Sequence, residues 1–418
     1  MRALRFVAAP NNAQKVPEDT MEGSVAQRPA LTTQRAIPPF GRVDALLDEA
    51  VSRFRSNTAI NFLGRTWTYG QIGDLVERAA AGLQRMGVKK GDRVGLCLPN
   101  TPYSVILYFA TLKVGGIVVN ANPLYVEREL EHLIRNSGTT IMVTMDLKIM
   151  LPKLAGLIGR TPLKTIIVCA MADILPFPQT LLFRLFKRAT LASVPKSPSF
   201  VRYGDLIAQR GVTPVDVAPA TDVAVLQYTG GTTGTPKAAM LSHANLTANV
   251  FQISCCFPEV IDGKAKMLGI LPLFHVFAMT CVMNYGIRVG AELILVPRFE
   301  VKQLLQTIAK LRPNIFPGVP TLYGALSDAV TKTPTDISSI KYCISGGAPL
   351  PMEVRHRFES LADARIAEGY GLTEASPVVT TSPLSGAAPE GSIGNPCIGT
   401  EIEIRTAEGK IAAAGERG

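Results

Sequence analysis

Charge is sparse in this chain. Asp, Glu, Lys and Arg make up 18% of its 418 residues, against 47% hydrophobic residues. That is the balance of a globular protein, and the apolar supply suffices for two or more packed subdomains. The charge that is present leans positive, +10 net, which suits anionic partners such as nucleotides or an anionic membrane surface. Nucleic acid is anionic too, but no zinc-finger, RNP or homeodomain-like signature is present. The seven cysteines are odd in number and form no CxxC pair. This argues against a disulfide framework or a zinc site and for reduced thiols in a cytoplasmic protein; Cys255 and Cys256 read as buried helix residues. Long apolar runs are lacking. The most apolar window, about 103–121, contains Lys113, Gly115 and Gly116, so it reads as a helix leading into a buried strand and not as a membrane span. Phe6–Ala9 is too short for a signal h-region, and Glu18 and Asp19 speak against a transit peptide. No repeat occurs at solenoid periods.

Residues 1–37 show no periodicity and read as a tail. Beyond them the pattern predicts a hairpin at 59–68 and helices at 43–54, 70–86, 102–114 and 126–136. Buried strands are predicted at 93–98, 116–120, 141–144 and 165–170. A second alternating series places strands at 224–226, 267–271, 292–296, 315–318, 342–345 and 365–369. Such alternation predicts an α/β fold, with parallel sheets covered by helices on both faces. The expected division is a first α/β subdomain over about 38–220 and a second over 221–381. From residue 382 the chain is rich in Gly, Pro and Ala, with a strand predicted at 400–405 inside a small partial β-barrel over 382–418. Residues 181–188 mix large apolar and basic side chains between prolines. They read either as a peripheral contact with the inner face of a membrane or as a packed surface helix.

The densest chemical signal is Tyr228-Thr229-Gly230-Gly231-Thr232-Thr233-Gly234-Thr235-Pro236-Lys237, with three glycines, four threonines and a lysine in ten residues. Glycine lets the backbone approach a ligand closely. Hydroxyls and N–H groups donate, and the lysine adds positive charge, so the segment is equipped to cradle a polyphosphate. A Gly/Thr surface turn is the alternative. A Walker P-loop is excluded: that motif opens a helix with Gly-Lys, and here Pro236 replaces its second glycine. Residues 238–241 read instead as a second strand, with Ser242 the N-cap of a helix over 244–253.

Two further segments follow in order, Ser345-Gly346-Gly347-Ala348-Pro349-Leu350 and Glu368-Gly369-Tyr370-Gly371-Leu372-Thr373-Glu374. With these three motifs the chain resembles the adenylate-forming enzymes: acyl-CoA synthetases, peptide-synthetase adenylation domains and luciferases. Weaker similarity runs from Thr66-Trp67-Thr68-Tyr69 to the last residue, and the resemblance is strongest to long-chain fatty acyl-CoA synthetases. It implies an N-terminal domain of two packed sheets flanked by helices plus a small distorted β-barrel. It also implies a reaction in which a fatty acid carboxylate attacks the α-phosphorus of ATP with Mg²⁺ present, pyrophosphate leaves, and the acyl group passes to CoA.

Such chemistry rests mostly on positioning and on neutralising spread-out negative charge. Thr229, Gly230, Gly231, Thr232, Thr233, Gly234, Thr235, Pro236 and Lys237 would clamp the phosphates. Glu374 is the candidate Mg²⁺ ligand, because that ion takes one or two carboxylates together with phosphate oxygens. Alone, Thr373-Glu374 would also read as a helix cap. By resemblance Thr229 adds a hydroxyl to the ion and Thr373 meets the α-phosphate. Tyr370 offers a ring for adenine, and Gly346, Gly347 and Ala348 lack bulk. By resemblance these residues, with Glu368, Gly369 and Gly371, line the adenine pocket. A histidine in an apolar run such as His275 usually reads as a core residue, but its position resembles a family histidine near the substrate carboxylate, which assigns it substrate positioning. His132, His243 and His356 read as structural. Amino-acid-activating relatives carry an aspartate after the matching phenylalanine. Here Phe274 precedes His275 and no acid follows, so a buried ammonium would lack a partner. Val276, Phe277, Gly318 and Val319 suit an uncharged acyl tail.

The family's ribose-binding aspartate and its mobile C-terminal domain, with the adenylation lysine, have no counterpart before Gly418. The expectation is therefore a truncated portion with little activity alone. Competing readings are an enzyme that adenylates another acid or loads an acyl-carrier protein, and a non-catalytic nucleotide- or lipid-binding fragment.

Overall fold

A computed structural model describes residues 40–229, 236–384, 389 and 391–417. Strands β1 (Thr58–Phe62) and β2 (Arg65–Thr68) form a hairpin closed by Leu63 and Gly64 at φ 53° and 96°. Positive φ at both turn positions matches the twist of the paired strands. Thr68 then caps the helix Tyr69–Arg85: its Oγ1 accepts from Gln71 N, and Gln71 Oε1 accepts from Thr68 N.

The next seven strands are β3 (Arg93–Leu96), β4 (Ile117–Asn120), β5 (Ile141–Met145), β6 (Thr165–Cys169), β7 (Phe200–Arg202), β8 (Val223–Thr229) and β9 (Lys237–Ser242). They build one sheet in the order β7-β6-β5-β3-β4-β8-β9, parallel throughout except for the final β8–β9 pair. Every residue of β5 is buried, as expected for a central strand with both faces covered. The remaining strands are β10 (Lys266–Gly269), β11 (Glu292–Leu295), β12 (Ile315–Gly318), β13 (Tyr342–Ser345), β14 (Arg365–Gly371), β15 (Val378–Thr381) and β16 (Asn395–Pro396). With the first hairpin they form a second sheet, β16-β15-β14-β13-β12-β10-β11-β1-β2.

The expected subdomain boundary near residue 220 does not separate these sheets. β8 and β9 complete the first sheet, whereas β1 pairs in parallel with β11 of the second, Ile60 opposite Leu293. Hydrophobic pattern marks a strand but not its distant neighbour, which is chosen by which open edge it can cover. The apolar window at 103–121 is a helix, Pro102–Lys113, followed by β4, and residues 102–112 of that helix are buried on all sides. A helix apolar all round belongs in an interior. No described helix is long and apolar enough to cross a membrane.

Two readings are corrected. Residues 400–405 form no strand; only an isolated bridge joins Arg405 to Ile411. A barrel strand needs a ladder on both sides, and among the described residues after 382 only β16 and this bridge supply pairing. Cys255 and Cys256 do end the helix His243–Cys256, but both are half-buried.

Candidate functional site

The glycine-rich segment joins two antiparallel strands. Thr229 ends β8 directly opposite Lys237, which opens β9, and Thr229 Oγ1 donates to Lys237 O at 3.4 Å. The two chemically marked ends of the loop therefore stand side by side. Gly230, Gly231, Thr232, Thr233, Gly234 and Thr235 lie outside the described residues. β9 runs into Ser242, whose Oγ accepts from Asn245 N at 3.1 Å and caps the helix His243–Cys256. β8 is moored from behind, where Tyr228 OH donates to Asn136 Oδ1 at 2.7 Å. His132 Nε2 lies 3.1 Å from Pro236 O, so this histidine, read as structural, stands against the end of the loop.

Three other marked segments gather at the carboxyl ends of the second sheet's parallel strands, the usual place for ligands in open α/β sheets. Gly318 pairs with Ser345, and Ser345 with Glu368. The residues that follow these three strand positions, Val319, Gly346–Ala348 and Gly369–Gly371, are thereby adjacent. Gly346 N donates to Gly318 O at 3.3 Å. A Cβ on Gly346 would come within 3.3 Å of the Phe277 ring, and one on Gly371 within 2.2 Å of Pro377 O. The missing side chains keep this surface open and the β14–β15 turn tight. Gly347, at φ 84°, is in the left-handed region. Tyr370 is 48% exposed and available as a flat wall. Burial raises the Glu368 carboxyl above its ordinary pKa, opposed by the Leu350 backbone N–H and by Arg355. Thr373–Ala375 form a short 3₁₀ turn that leaves Glu374 exposed. β9 lies against that turn, which brings the strand of Lys237 to the turn of Glu374 across the two sheets.

His275 caps the short helix Val276–Ala278, its Nδ1 accepting from Phe277 N at 3.3 Å. The ring opens to solvent, yet surrounding protein strips part of its hydration and lowers its pKa from the ordinary value. The neutral ring is favoured. Behind it stand two buried amides that the sequence reading did not single out. Asn100 donates to Gly269 O at 3.0 Å and Leu271 O at 2.8 Å, and accepts from Leu273 N at 2.9 Å. Gln227 donates to Phe274 O at 2.9 Å and accepts from Asn120 Nδ2 at 3.0 Å. Asn100 follows β3 and Gln227 lies on β8, so the first sheet holds the second sheet's His275 loop. The available signal was a lone amide in the otherwise apolar run 223–228.

Thr229 and Glu374 supply hard oxygen donors, which fits Mg²⁺. Among the described residues no cluster of three or more His, Cys, Asp or Glu is placed to hold a metal by itself, so phosphate oxygens would complete the ion's shell.

A model of the AMP-binding enzyme family matches residues 47–418. The chain belongs to the AMP-binding enzymes. It is 40% identical over 385 residues to a long-chain-fatty-acid–CoA ligase of Bacillus subtilis, covering 91% of this chain and 68% of that one. The corresponding ligase of Yersinia pestis is 32% identical over 382 residues, with 89% and 67% covered. In fold it is similar to a long-chain-fatty-acid-CoA ligase from Archaeoglobus fulgidus, at TM-score 0.76, 24% identity and coverage of 90% and 73%. An anthranilate CoA ligase solved with anthranoyl-AMP gives the same TM-score of 0.76 at 23% identity, with 91% and 69% covered. AMP-binding enzymes of this class are acid–thiol ligases, and the two packed sheets with flanking helices are those of their N-terminal domain.

Proposed function

We propose that this chain carries the adenylation site of a long-chain fatty acid–CoA ligase. The fatty acid carboxylate attacks the α-phosphorus of ATP, the bond to pyrophosphate breaks, and acyl-adenylate forms. The CoA thiol then displaces AMP and a thioester results. What supports this reading is that β9, opened by Lys237, packs on the turn of Glu374, that Gly346–Ala348 and Tyr370 stand on the neighbouring strand ends of β13 and β14, and that the Phe277 ring beside His275 lies against Gly346.

Lys237 and the loop from Thr229 hold the β- and γ-phosphates. Thr373 meets the α-phosphate, where charge develops. Glu374 and Thr229 hold Mg²⁺, which when bound neutralises phosphate charge. Tyr370 and Gly346–Ala348 flank adenine, beside Glu368, Gly369 and Gly371. His275, with its neutral form favoured, orients the carboxylate without adding a competing charge. Val276, Phe277, Gly318 and Val319 begin an apolar path for the acyl tail. The names of the relatives at 40% and 32% identity support the long-chain acid, as does the lack of an acid beside Phe274. A cytoplasmic protein meeting such an acid would do so at the inner face of a membrane, through residues 181–188.

The test is acyl-AMP and acyl-CoA formation, followed by mass spectrometry with ATP, Mg²⁺ and CoA over a panel of acids. The proposal expects adenylate from long-chain acids ahead of short, aromatic and amino acids. Preference for an aromatic acid, or thioester formed only on an acyl-carrier protein, would replace the long-chain CoA reading. Nucleotide binding by the folded chain with no adenylate from any acid would leave only a binding module.

A further inference from the structure

One buried hydroxyl joins the helix that His275 caps to the turn that carries Glu374. That helix continues as a π-helix, Met279–Asn284, and all six of its residues are buried. Such widened turns are rare and frequently stand at functional sites. Thr280, its second residue, is fully buried, and its Oγ1 donates to Ser376 O at 2.9 Å. Ser376 closes the 3₁₀ turn Thr373–Ala375. Its N donates to Thr373 O at 3.2 Å, and Ala375 N donates to Leu372 O at 3.0 Å.

Ser376 needs that hold. At φ 81° it is a non-glycine residue in the left-handed region, a conformation that persists only where its surroundings enforce it. It is also buried, so water does not replace a lost partner of its carbonyl. Among the described residues no donor other than Thr280 reaches that oxygen. The chain beyond the turn has its own anchor. Asn249 accepts from Val378 N at 3.0 Å and donates to Val378 O at 2.7 Å. Thr280 therefore acts on the Glu374 turn itself, while β15 stays fixed without it.

We infer that Thr280 is a positioning residue for the Mg²⁺ carboxylate: through Ser376 O its hydroxyl fixes the turn that presents Glu374. One continuous helical segment then serves both substrates, with His275 at its start for the acid and Thr280 behind the metal ligand. The inference rests on the ligase reading for the ion at Glu374, but not for the hold on the turn. The experiment compares the full chain with Thr280→Val, which keeps the shape and removes the donor, and with Thr280→Ser, which keeps the donor. Hydrogen exchange reads the turn without ligand. The amides of Ala375 and Ser376 should exchange about tenfold faster in Thr280→Val and return toward the parent rate in Thr280→Ser. Equilibrium dialysis reads ATP binding with Mg²⁺ or with EDTA. Thr280→Val should weaken it about tenfold, the usual effect of losing a bond behind a metal ligand, only when Mg²⁺ is present. In a Glu374→Gln background it should have no further effect. Thr280→Cys, a weaker donor of similar size, should fall between the two and keeps the test decisive where Thr280→Val does not fold. Equal weakening with and without the ion, or in both backgrounds, would mark Thr280 as merely structural and overturns the inference. So does unchanged exchange at residues 375 and 376. A parent chain that binds no Mg·ATP, while Thr280→Val still speeds exchange at the turn, defeats the ligase reading alone. Equal Mg·ATP affinity in the parent and Thr280→Val defeats this inference alone.

Discussion

Asn100→Ala removes the amide that holds the His275 loop to the first sheet, and its consequences can be worked out bond by bond. Gly269 O keeps a second donor, Val296 N at 3.0 Å, so its loss is small. Leu271 O and Leu273 N each lose the Asn100 contact, at 2.8 and 2.9 Å, and Asn100 itself is only 4% exposed. Orphaning a buried polar group costs about 1–3 kcal/mol, so two such groups should cost about 2–6 kcal/mol. Urea unfolding followed by circular dichroism measures this, as a shift in midpoint at constant slope. Adenylate formation, assayed where the variant remains folded, should also fall, because His275 lies two residues beyond the clamped Leu273 N. A loss under about 1 kcal/mol would mean that the contacts are not energetically real. Full adenylation despite a large loss of stability would show that the loop's position does not matter to the chemistry, and the positioning argument would fail.

Glu374→Gln keeps the shape of the 3₁₀ turn but removes the anionic donor. Adenylate formation should drop about 10²–10³-fold with folding intact, and unchanged rates and Mg²⁺ dependence would refute the assignment. His243 is buried near Asp44, Arg42, Asp222 and Lys90, and its Nδ1 accepts from Val43 N at 3.1 Å. Burial lowers its pKa from 6.5 to about 4. As pH falls through 6.5 the unfolded chain takes up a proton that the folded chain refuses, so stability present above pH 6.5 is lost toward pH 4. At about 1.4 kcal/mol per unit the loss totals about 3 kcal/mol, and His243→Gln should remove that part of the slope in acid denaturation curves. Gly371→Ala would set a Cβ 2.2 Å from Pro377 O, a backbone clash that should lower stability by about 1–3 kcal/mol or more. An unchanged melting temperature would show that the β14–β15 turn has room to spare.

Local pattern carried much of this protein. The helices, the parallel strands and the strand-then-helix path after Lys237 follow from periodicity, capping residues and turn chemistry, all properties of a few adjacent side chains. The three motifs were legible because glycines and threonines at that density have few other uses. Tertiary structure alone decided that β1 and β2 join the second sheet, that residues 400–405 stay unpaired, and that Asn100 and Gln227 reach across to the His275 loop. The exposure of Leu181, Leu182, Leu185 and Phe186 on the helix at 179–186 is likewise a fact of tertiary structure that composition left open. A side chain's neighbours along the chain set its backbone, but its burial and its hydrogen-bond partners depend on segments a hundred or more residues away, and no local pattern names them.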